Sequence, residues 1–238
     1  IMPEDPASKR LSSESKQALF AESTESFLAR AWRQEDARPD DVWQAKRDLA
    51  AVVHELVCAT SKSDAEVEVL RAVTAAVKAQ LDTLQTAPAR SFHDAFADGS
   101  YYRDPQRYTD RVFIVGASNP AVPQMALTFD GEAATGVITY DESCVGAPGW
   151  AHGGLVATAF DQAMGYRLIC EGLPVVTGQL TVDYLRPTPL GKKVTYRATI
   201  AEVVERRVQM RATAHIDGKE IGRAKAVFVI IPKGSWKL

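Results

Sequence analysis

A histidine followed by two glycines, His152-Gly153-Gly154, stands at the start of a segment whose composition predicts a helix from Gly154 to Cys170. The first N–H groups of a helix lack partners within it and carry partial positive charge, and glycine lets a ligand approach the backbone closely. Such a helix start can polarise a carbonyl group and stabilise the oxyanion that forms on attack. Taken alone, the pattern also fits a plain turn in which His152 is a hydrogen-bonded loop residue.

One carboxylate, Asp161, lies within the apolar segment 154–166 of that helix. A helix that is apolar nearly all round is typical of a buried element, and burying an ionised carboxylate without a partner is costly. Asp161 therefore either makes a structural hydrogen bond or emerges at a cleft. In a cleft, burial would raise its pKa and suit it to act as a base near neutral pH.

The spacing of these two features constrains how they can act together. Asp161 lies eight residues beyond Gly153, which is about 12 Å along a helix axis and too far for both to touch one carbonyl carbon. If both act on one substrate, they must come from different subunits. The spacing therefore predicts an isologous homo-oligomer, a dimer or a dimer of dimers, with Gly153 of one chain and Asp161 of the other in each site.

Strand patterns surround this helix. Short β-favouring runs separated by turn signals, such as Asp130-Gly131-Glu132, predict strands that pair antiparallel. Glycines and a proline between residues 141 and 150 predict irregular structure there. The predicted strands are 112–115, 124–129 and 133–140 before the helix, and 175–186, 193–204, 207–216 and 220–231 after it. A long antiparallel sheet wrapped around one buried helix is the hotdog fold, so the predicted class is α+β.

The N-terminal half has a different composition, because residues 15–86 are rich in helix-forming residues. Two of the helices predicted there present apolar residues at spacings of three and four, which predicts one face of each helix to be buried. The predicted helices run from Ser12 or Ser13 to about Gln34, from Pro39-Asp40-Asp41 to about Val57, and from a cap at Ser63 or Asp64 to before Pro88. The predicted division is a tail (1–14), a helical region (15–90), a linker (91–110) and a hotdog domain (111–238).

These motifs together resemble the hotdog-fold acyl-CoA thioesterases of the phenylacetate-pathway type, and their THEM4-like branch in particular. The resemblance is carried by the block Gly146–Gly154, by Asp161 and Thr177, and by the segment 185–191. It covers roughly residues 110–232. It implies hydrolysis of acyl-CoA thioesters in a hotdog domain.

The resemblance also implies a role for each matching residue. The N–H of Gly153 would polarise the thioester carbonyl, and His152 would position the loop. Asp161 corresponds to the helix carboxylate that activates water or attacks the carbonyl directly. Thr177 corresponds to a hydroxyl residue on the next strand that orients the nucleophile. Simple strand alternation places Thr177 on the polar side of its strand, together with Gln179, Thr181 and Asp183.

The implied partner is the acyl-CoA substrate. Trp150 and Gly154 are candidates for contacts near the acyl group, and Arg186 and Lys192-Lys193 for contacts with the nucleotide end. Residues 181–238 hold 12 Lys and Arg against 5 Asp and Glu, although this excess also fits a solvated outer sheet face. Some relatives carry Asn or Gln where this chain has Gly146, so we expect one polar contact to the substrate to be missing.

Other partners are not expected. The net charge is −2 and no basic patch is interleaved with aromatics, which argues against nucleic-acid binding. No apolar run reaches the roughly 18 residues that a membrane span needs. Three widely spaced cysteines fit a reducing compartment, so the expected localisation is cytoplasmic. No metal-ligand spacing was recognised, so neither a metal nor a cofactor is expected.

Two alternative functions remain open at this level. A hotdog enoyl-CoA hydratase or dehydratase would need an Asp and a His close together after the helix start, and no such pair is found near this helix. A non-catalytic acyl-binding or scaffold protein would instead act through the helical N-terminal region.

Overall fold

The computed structural model describes residues 40–97 and 106–231. Its first part is helical, which confirms the second and third predicted helices. The first predicted helix and the predicted tail lie outside the described residues. The helices of this part are α1 (Asp41–Lys62), α2 (Val67–Thr86), α3 (Phe92–Ala97) and α4 (Gln106–Thr109).

The helices α1 and α2 differ in how they begin and in how much they bury. Asp40 caps α1, because its side chain accepts a hydrogen bond from the N–H of Trp43 at 2.8 Å. The third predicted helix begins later than expected, at Val67, and Glu66 makes no side-chain cap. Within the described part of the chain, α1 buries Trp43 and Ala50, whereas no residue of α2 is buried.

Asp110 links α1 to the rest of the protein through hydrogen bonds. Its buried carboxylate accepts hydrogen bonds from the indole N–H of Trp43 and from Arg47 Nε, the latter at 2.9 Å. The Arg47 guanidinium also lies 4.5 Å from the centre of the Trp43 ring, which is a cation–π contact. Asp110 is the last residue of the predicted linker 91–110, whose described residues include the short helices α3 and α4. The domain boundaries therefore stay a prediction.

The second part is an antiparallel sheet around one helix, which confirms the predicted α+β hotdog class. Six strands pair in the order β1-β2-β6-β7-β8-β5, and every pair is antiparallel. The sheet consists of β1 (Ala126–Phe129), β2 (Ala134–Thr139), β5 (Val175–Tyr184), β6 (Lys193–Val204), β7 (Arg207–Ile216) and β8 (Lys219–Ile230). The hairpin predicted at Asp130-Gly131-Glu132 joins β1 to β2, where the Asp130 carboxylate accepts the N–H groups of Glu132 and Ala133.

Two short stretches differ from the predictions. Residues 112–115 were predicted as a strand but form turns, with Gly116 N–H bonded to the carbonyl of Val112 and Ile114 at a φ of 66°. Their apolar character reflects burial of Ile114 and Val115 in the core and not strand pairing. The segment predicted as irregular contains a 3₁₀ turn (Glu142–Cys144) and a small two-stranded sheet of β3 (Val145–Ala147) and β4 (Trp150–Ala151).

The central helix α5 (Gly153–Ile169) lies against the inner face of the sheet and contacts all six of its strands. Its buried residues point in most directions around the helix axis, as the apolar composition of the segment predicts. Phe160 packs edge-on against Tyr196 of β6, with ring centroids 4.9 Å apart. Near its end, the fully buried Arg167 pairs with Glu171 at 2.8 Å and donates to the carbonyl of Glu132 at 2.7 Å. These bonds tie the end of α5 to the β1–β2 turn.

None of the helices in the described ranges is both long enough and apolar enough to cross a lipid bilayer.

Candidate active site

His152 caps the start of α5 with its side chain. Its Nδ1 accepts a hydrogen bond from the N–H of Gly154 at 3.0 Å, and its carbonyl accepts from the N–H groups of Leu155 and Val156 at 2.9 and 3.2 Å. Gly153 is the first helical residue, so the helix itself offers no acceptor for its N–H. The N–H of Gly153, and not that of Gly154, is therefore the amide suited to bind a substrate oxygen.

The segment before α5 holds His152 in position. The N–H of His152 donates to the carbonyl of Cys144 at 2.8 Å, and the β3–β4 pair folds Gly146 back against it. A Cβ atom at Gly146 would lie 2.6 Å from the Cα of His152 and 3.0 Å from its N, a separation that real atoms do not tolerate. Backbone packing thus requires glycine at position 146 and leaves no room for an Asn or Gln side chain there.

Tyr184 also belongs to this region, and it was not among the site residues predicted from the sequence. Its hydroxyl donates to the carbonyl of Gly153 at 2.8 Å, so the end of β5 is linked to the start of α5. Its side chain is also what a Cβ added at Gly153 would meet first, with the ring carbon Cζ and the hydroxyl oxygen both at 3.5 Å. The sequence feature that could have identified Tyr184 is an aromatic side chain with a polar hydroxyl at the end of a strand.

A groove opens where β3, β4, the start of α5 and the end of β5 meet. Its volume is about 470 Å³, within the range of small-molecule sites. Trp150, His152, Gly153 and Arg186 all line it. The candidates Lys192 and Lys193 are exposed in the turn before β6 and at its first residue, and they are not among the residues that line it.

Asp161 lies outside that groove, at the middle of α5, beside Thr177 of β5. The Thr177 hydroxyl donates to Asp161 Oδ1 at 2.8 Å, so the structure brings these two predicted residues together. Burial raises the pKa of the half-buried Asp161 carboxyl above its ordinary value, and the hydrogen bond from Thr177 opposes this rise. The carboxylate is positioned and poorly solvated, which are two properties of a base that acts near neutral pH.

A β-bulge explains how Thr177 reaches Asp161. Thr177 lies opposite the buried Phe228 of β8, whereas Gln179 lies opposite Val227, so Gly178 is an extra residue on β5. Residues directly opposite each other in an antiparallel pair share a face. Thr177 therefore faces inward together with Leu180, Val182 and Tyr184, and the predicted grouping with Gln179, Thr181 and Asp183 is wrong. Alternation in the sequence could not reveal the bulge, which reverses the phase of the strand.

The predicted site residues thus lie in two groups at the two ends of one stretch of β5. The Tyr184 end lies beside Gly153 and the groove, and the Thr177 end lies beside Asp161. Within one chain the eight-residue step along α5 separates Gly153 from Asp161 by about 12 Å. His152 is likewise at the start of α5 and not beside Asp161, so these two residues do not form the Asp–His pair that a hydratase needs after the helix start.

Comparison with known proteins concerns the segment that holds these residues. Residues 148–222, which contain the helix start, Asp161 and Thr177, match the sequence model of the thioesterase superfamily. A solved thioesterase superfamily protein superimposes with a TM-score of 0.67 at 22% identity, covering 81% of this chain and 93% of that one, which supports the fold.

Two curated relatives carry the name acyl-coenzyme A thioesterase THEM4. The Xenopus laevis protein is 35% identical over 88 residues, which make up 35% of this chain and 39% of the relative. The Rattus norvegicus protein is 34% identical over 83 residues, covering 29% of this chain and 36% of the relative. The chain therefore matches less than half the length of these relatives.

Proposed function

We propose that this protein hydrolyses acyl-CoA thioesters to a free acid and CoA. The observation that carries the proposal is the half-buried Asp161 carboxylate, which accepts a hydrogen bond from Thr177. It lies in the segment that matches the thioesterase superfamily model, on a helix that begins at Gly153, whose N–H has no acceptor within the helix. The names of the two curated relatives support acyl-CoA as the substrate class.

In the proposed reaction the N–H of Gly153 donates to the thioester carbonyl oxygen. Asp161 either removes a proton from the attacking water or attacks the carbonyl carbon itself. On the base route, the water oxygen bonds to carbon, the carbon–sulfur bond breaks, and the CoA thiolate leaves with the electron pair. On the nucleophile route, an Asp161 carboxylate oxygen bonds to the carbonyl carbon and the CoA thiolate leaves, which gives a mixed anhydride. Water then hydrolyses the anhydride to the free acid and restores the carboxylate. Both routes place developing negative charge on the oxygen near Gly153.

We further propose that each site is shared by two chains. The strand β5 is an edge strand of ten residues whose outer side has no strand paired to it in the described sheet, and long unprotected edges tend to pair with another chain. Antiparallel pairing of two β5 strands about a two-fold axis would bring the Thr177 end of one chain towards the Tyr184 end of its partner. Asp161 of one chain would then approach Gly153 of the other, as the spacing along α5 requires.

The groove beside Gly153 is the proposed site for the thioester and the adjoining part of CoA. Trp150, 48% exposed, offers an apolar wall for the substrate. Arg186 lies at the rim and offers a charge for a phosphate group, with Lys192 and Lys193 as more distant candidates. A cytoplasmic localisation stays a prediction.

Replacing Asp161 with Asn tests the carboxylate with almost no change in size. We expect kcat for acyl-CoA hydrolysis to fall by about 100- to 10,000-fold, the range for loss of a general base. Activity would be screened with short, long and aromatic acyl-CoAs beside the parent chain. An unchanged kcat would refute the role of Asp161.

Gly153 offers a test of a backbone donor. Proline is well tolerated at the first position of a helix and needs an extended residue before it, and His152 is extended at φ −63° and ψ 130°. Gly153→Pro therefore removes the N–H while the helix can form, and we expect kcat to fall by about 100- to 1,000-fold. Gly153→Ala is the matched control, because it keeps the N–H and its Cβ has ordinary contacts.

Mixing the two inactive variants tests the shared site. A dimer of one Asp161→Asn chain and one Gly153→Pro chain would contain one intact composite site and one doubly defective site. After random exchange we expect about a quarter of the parent activity to return, since half of the dimers are mixed. No recovery despite proven exchange would show that each chain acts alone.

A scaffold role for the helical region is a second candidate, favoured by the apolar stripe that α2 leaves exposed. Leu70 and Leu81 on this stripe are 43% and 49% exposed. Leu70→Lys combined with Leu81→Lys should leave acyl-CoA hydrolysis intact if the stripe serves only in docking. A fall in hydrolysis that parallels the Asp161→Asn variant would instead tie the helices to catalysis.

A further inference from the structure

Three potential metal ligands from distant parts of the chain meet beside the 3₁₀ turn. His54 and Cys58 lie one turn apart on α1, and Asp141 precedes the turn Glu142–Cys144. His54 Nε2 lies 2.7 Å from Asp141 Oδ2 and 3.9 Å from Cys58 Sγ. All three ligand atoms lie within 4.8 Å of one another, and each residue is partly buried.

Neighbouring groups orient two of these ligands. The carbonyl oxygen of Pro120 lies 2.9 Å from His54 Nδ1. This oxygen can accept a hydrogen bond only if Nδ1 carries a proton. In the structure Nε2 donates to Asp141 Oδ2 at 2.7 Å. If an ion replaces the Nε2 proton, Nδ1 can keep its bond to the carbonyl, as in metal-binding histidines, whose other nitrogen donates to a carbonyl or carboxylate. Asp141 Oδ1 accepts from the N–H and hydroxyl of Ser143 at 3.0 and 2.6 Å, which leaves Oδ2 to face the cluster.

We propose that His54, Cys58 and Asp141 bind a divalent cation that accepts both sulfur and nitrogen, such as Zn²⁺. Tetrahedral zinc bonds of about 2.0–2.3 Å place neighbouring ligand atoms roughly 3.3–3.6 Å apart. The observed His54–Cys58 separation is close to that value, and the His54–Asp141 contact must open by less than 1 Å. The Asp141 side chain is 37% exposed and the His54 side chain 20% exposed, so water can reach the cluster and supply the fourth ligand. On binding, the Cys58 thiol and His54 Nε2 each release a proton to solvent.

The site would act on structure and not on the thioester. It joins α1 to residue 141, which lies 87 positions after His54, and Cys144 at the end of the same turn accepts the N–H of His152. A bound ion would therefore clamp the helical region to the segment that carries His152. The proposed site departs from the expectation of no metal: the four-residue spacing of His54 and Cys58 is visible in the sequence, but Asp141 is distant from both along the chain.

Cobalt substitution in the full chain tests the proposal. Co²⁺ bound by a thiolate and imidazole in a tetrahedral site gives intense visible bands and a sulfur-to-cobalt charge-transfer band. We expect one Co²⁺ per chain, displaced by one Zn²⁺, and a higher Tm with Zn²⁺ present, since an ion that binds only the folded state stabilises it. Weak octahedral bands alone, or no saturable binding, would overturn the proposal and leave His54–Asp141 as an ordinary ion pair.

Single substitutions show whether these residues hold the ion. Cys58→Ser should abolish the charge-transfer band and weaken Zn²⁺ affinity by more than about 100-fold, the upper range for loss of even an outer partner. His54→Ala should weaken affinity by at least as much, and both variants would be checked for folding by circular dichroism. Cys170→Ser is the matched control, because Cys170 is a partly buried free cysteine outside the cluster. Equal losses in the control and in Cys58→Ser would also overturn the proposal.

Discussion

The helices α5 and α2 are both rich in apolar residues, yet only α5 is buried. The helix α5 is apolar nearly all round and the sheet of its own chain surrounds it, leaving Ala159, Phe160 and Ala163 with no exposed surface. The helix α2 is apolar along one stripe, and that stripe is open in the described part of the chain. A periodic pattern shows which face of a helix favours burial, but the surrounding elements determine whether anything covers it.

The carboxylates of the two regions differ in the same way. Asp141, near α1, is desolvated, but hydrogen bonds from Ser143 and His54 outweigh that effect and lower its pKa. Asp161, in α5, receives one hydrogen bond from Thr177, and desolvation dominates, so its pKa is raised. A carboxylate with several donors is stabilised in place, whereas one with a single neutral donor keeps the basicity that catalysis needs.

The largest expected difference comes from truncating one large apolar residue in each helix. Phe160→Ala removes a fully buried ring and should lower the free energy of unfolding by about 3–5 kcal/mol. Leu81→Ala removes a side chain that is 49% exposed and should cost less than about 1 kcal/mol. Chemical denaturation of both variants measures the difference. A loss at Leu81 equal to that at Phe160 would mean that the stripe of α2 is covered in the assembled protein.

A smaller loss of stability is expected at the start of α5, where Gly146 packs against the backbone of His152. Gly146→Ala forces a Cβ against the backbone of His152, and we expect a loss of about 1–3 kcal/mol in unfolding free energy, as for other overpacked sites. Because His152 must shift, kcat/KM should fall as well. Gly153→Ala is a suitable stability control, since its added Cβ meets only ordinary contacts at Tyr184. A fully stable and active Gly146→Ala variant would contradict the tight packing.

Asp161→Asn should leave the protein as stable as the parent or more stable at neutral pH. The pKa of Asp161 is higher in the folded chain than its ordinary value of 3.8, so the folded state favours the protonated form. The stabilisation from protonated Asp161 is complete below the pKa that this residue has in the unfolded chain. It is lost as the pH rises through the higher pKa of the folded chain. Asn removes that dependence, so its advantage should appear in denaturation curves as the pH rises through the folded-state pKa of Asp161. A less stable variant at pH 7 would mean that the ionised carboxylate is needed for folding.

The smallest expected change is a shift in pH dependence when Thr177 is replaced by Val. The Thr177 hydroxyl lowers the pKa of Asp161, so removing it should raise that pKa further. Activity that needs ionised Asp161 would then decline at a higher pH on the acid side of the kcat profile. Thr177→Ser keeps a hydroxyl and should retain the parent profile. An acid limb that stays in place or moves to lower pH would argue against this hydrogen bond in the active enzyme.

Much of the hotdog domain could be predicted from sequence because its signals are local. The apolar helix was predicted one residue late at each end, and the four strands from residue 175 onward were located within two residues. The strand at 112–115 was wrong, because four apolar residues look the same whether a sheet or a turn buries them. The inward orientation of Thr177 was also missed, because one extra residue at Gly178 reverses the alternation.

The sequence by itself determined the central helix, its neighbouring strands and the separation of Gly153 from Asp161, because a helix advances by a set distance per residue. Only the tertiary structure decided that Thr177 meets Asp161, that Gly146 must stay a glycine, and that His54, Cys58 and Asp141 converge. These facts depend on contacts between residues far apart in the chain. Local periodicity contains no information about such contacts, because they arise when separate elements pack against each other.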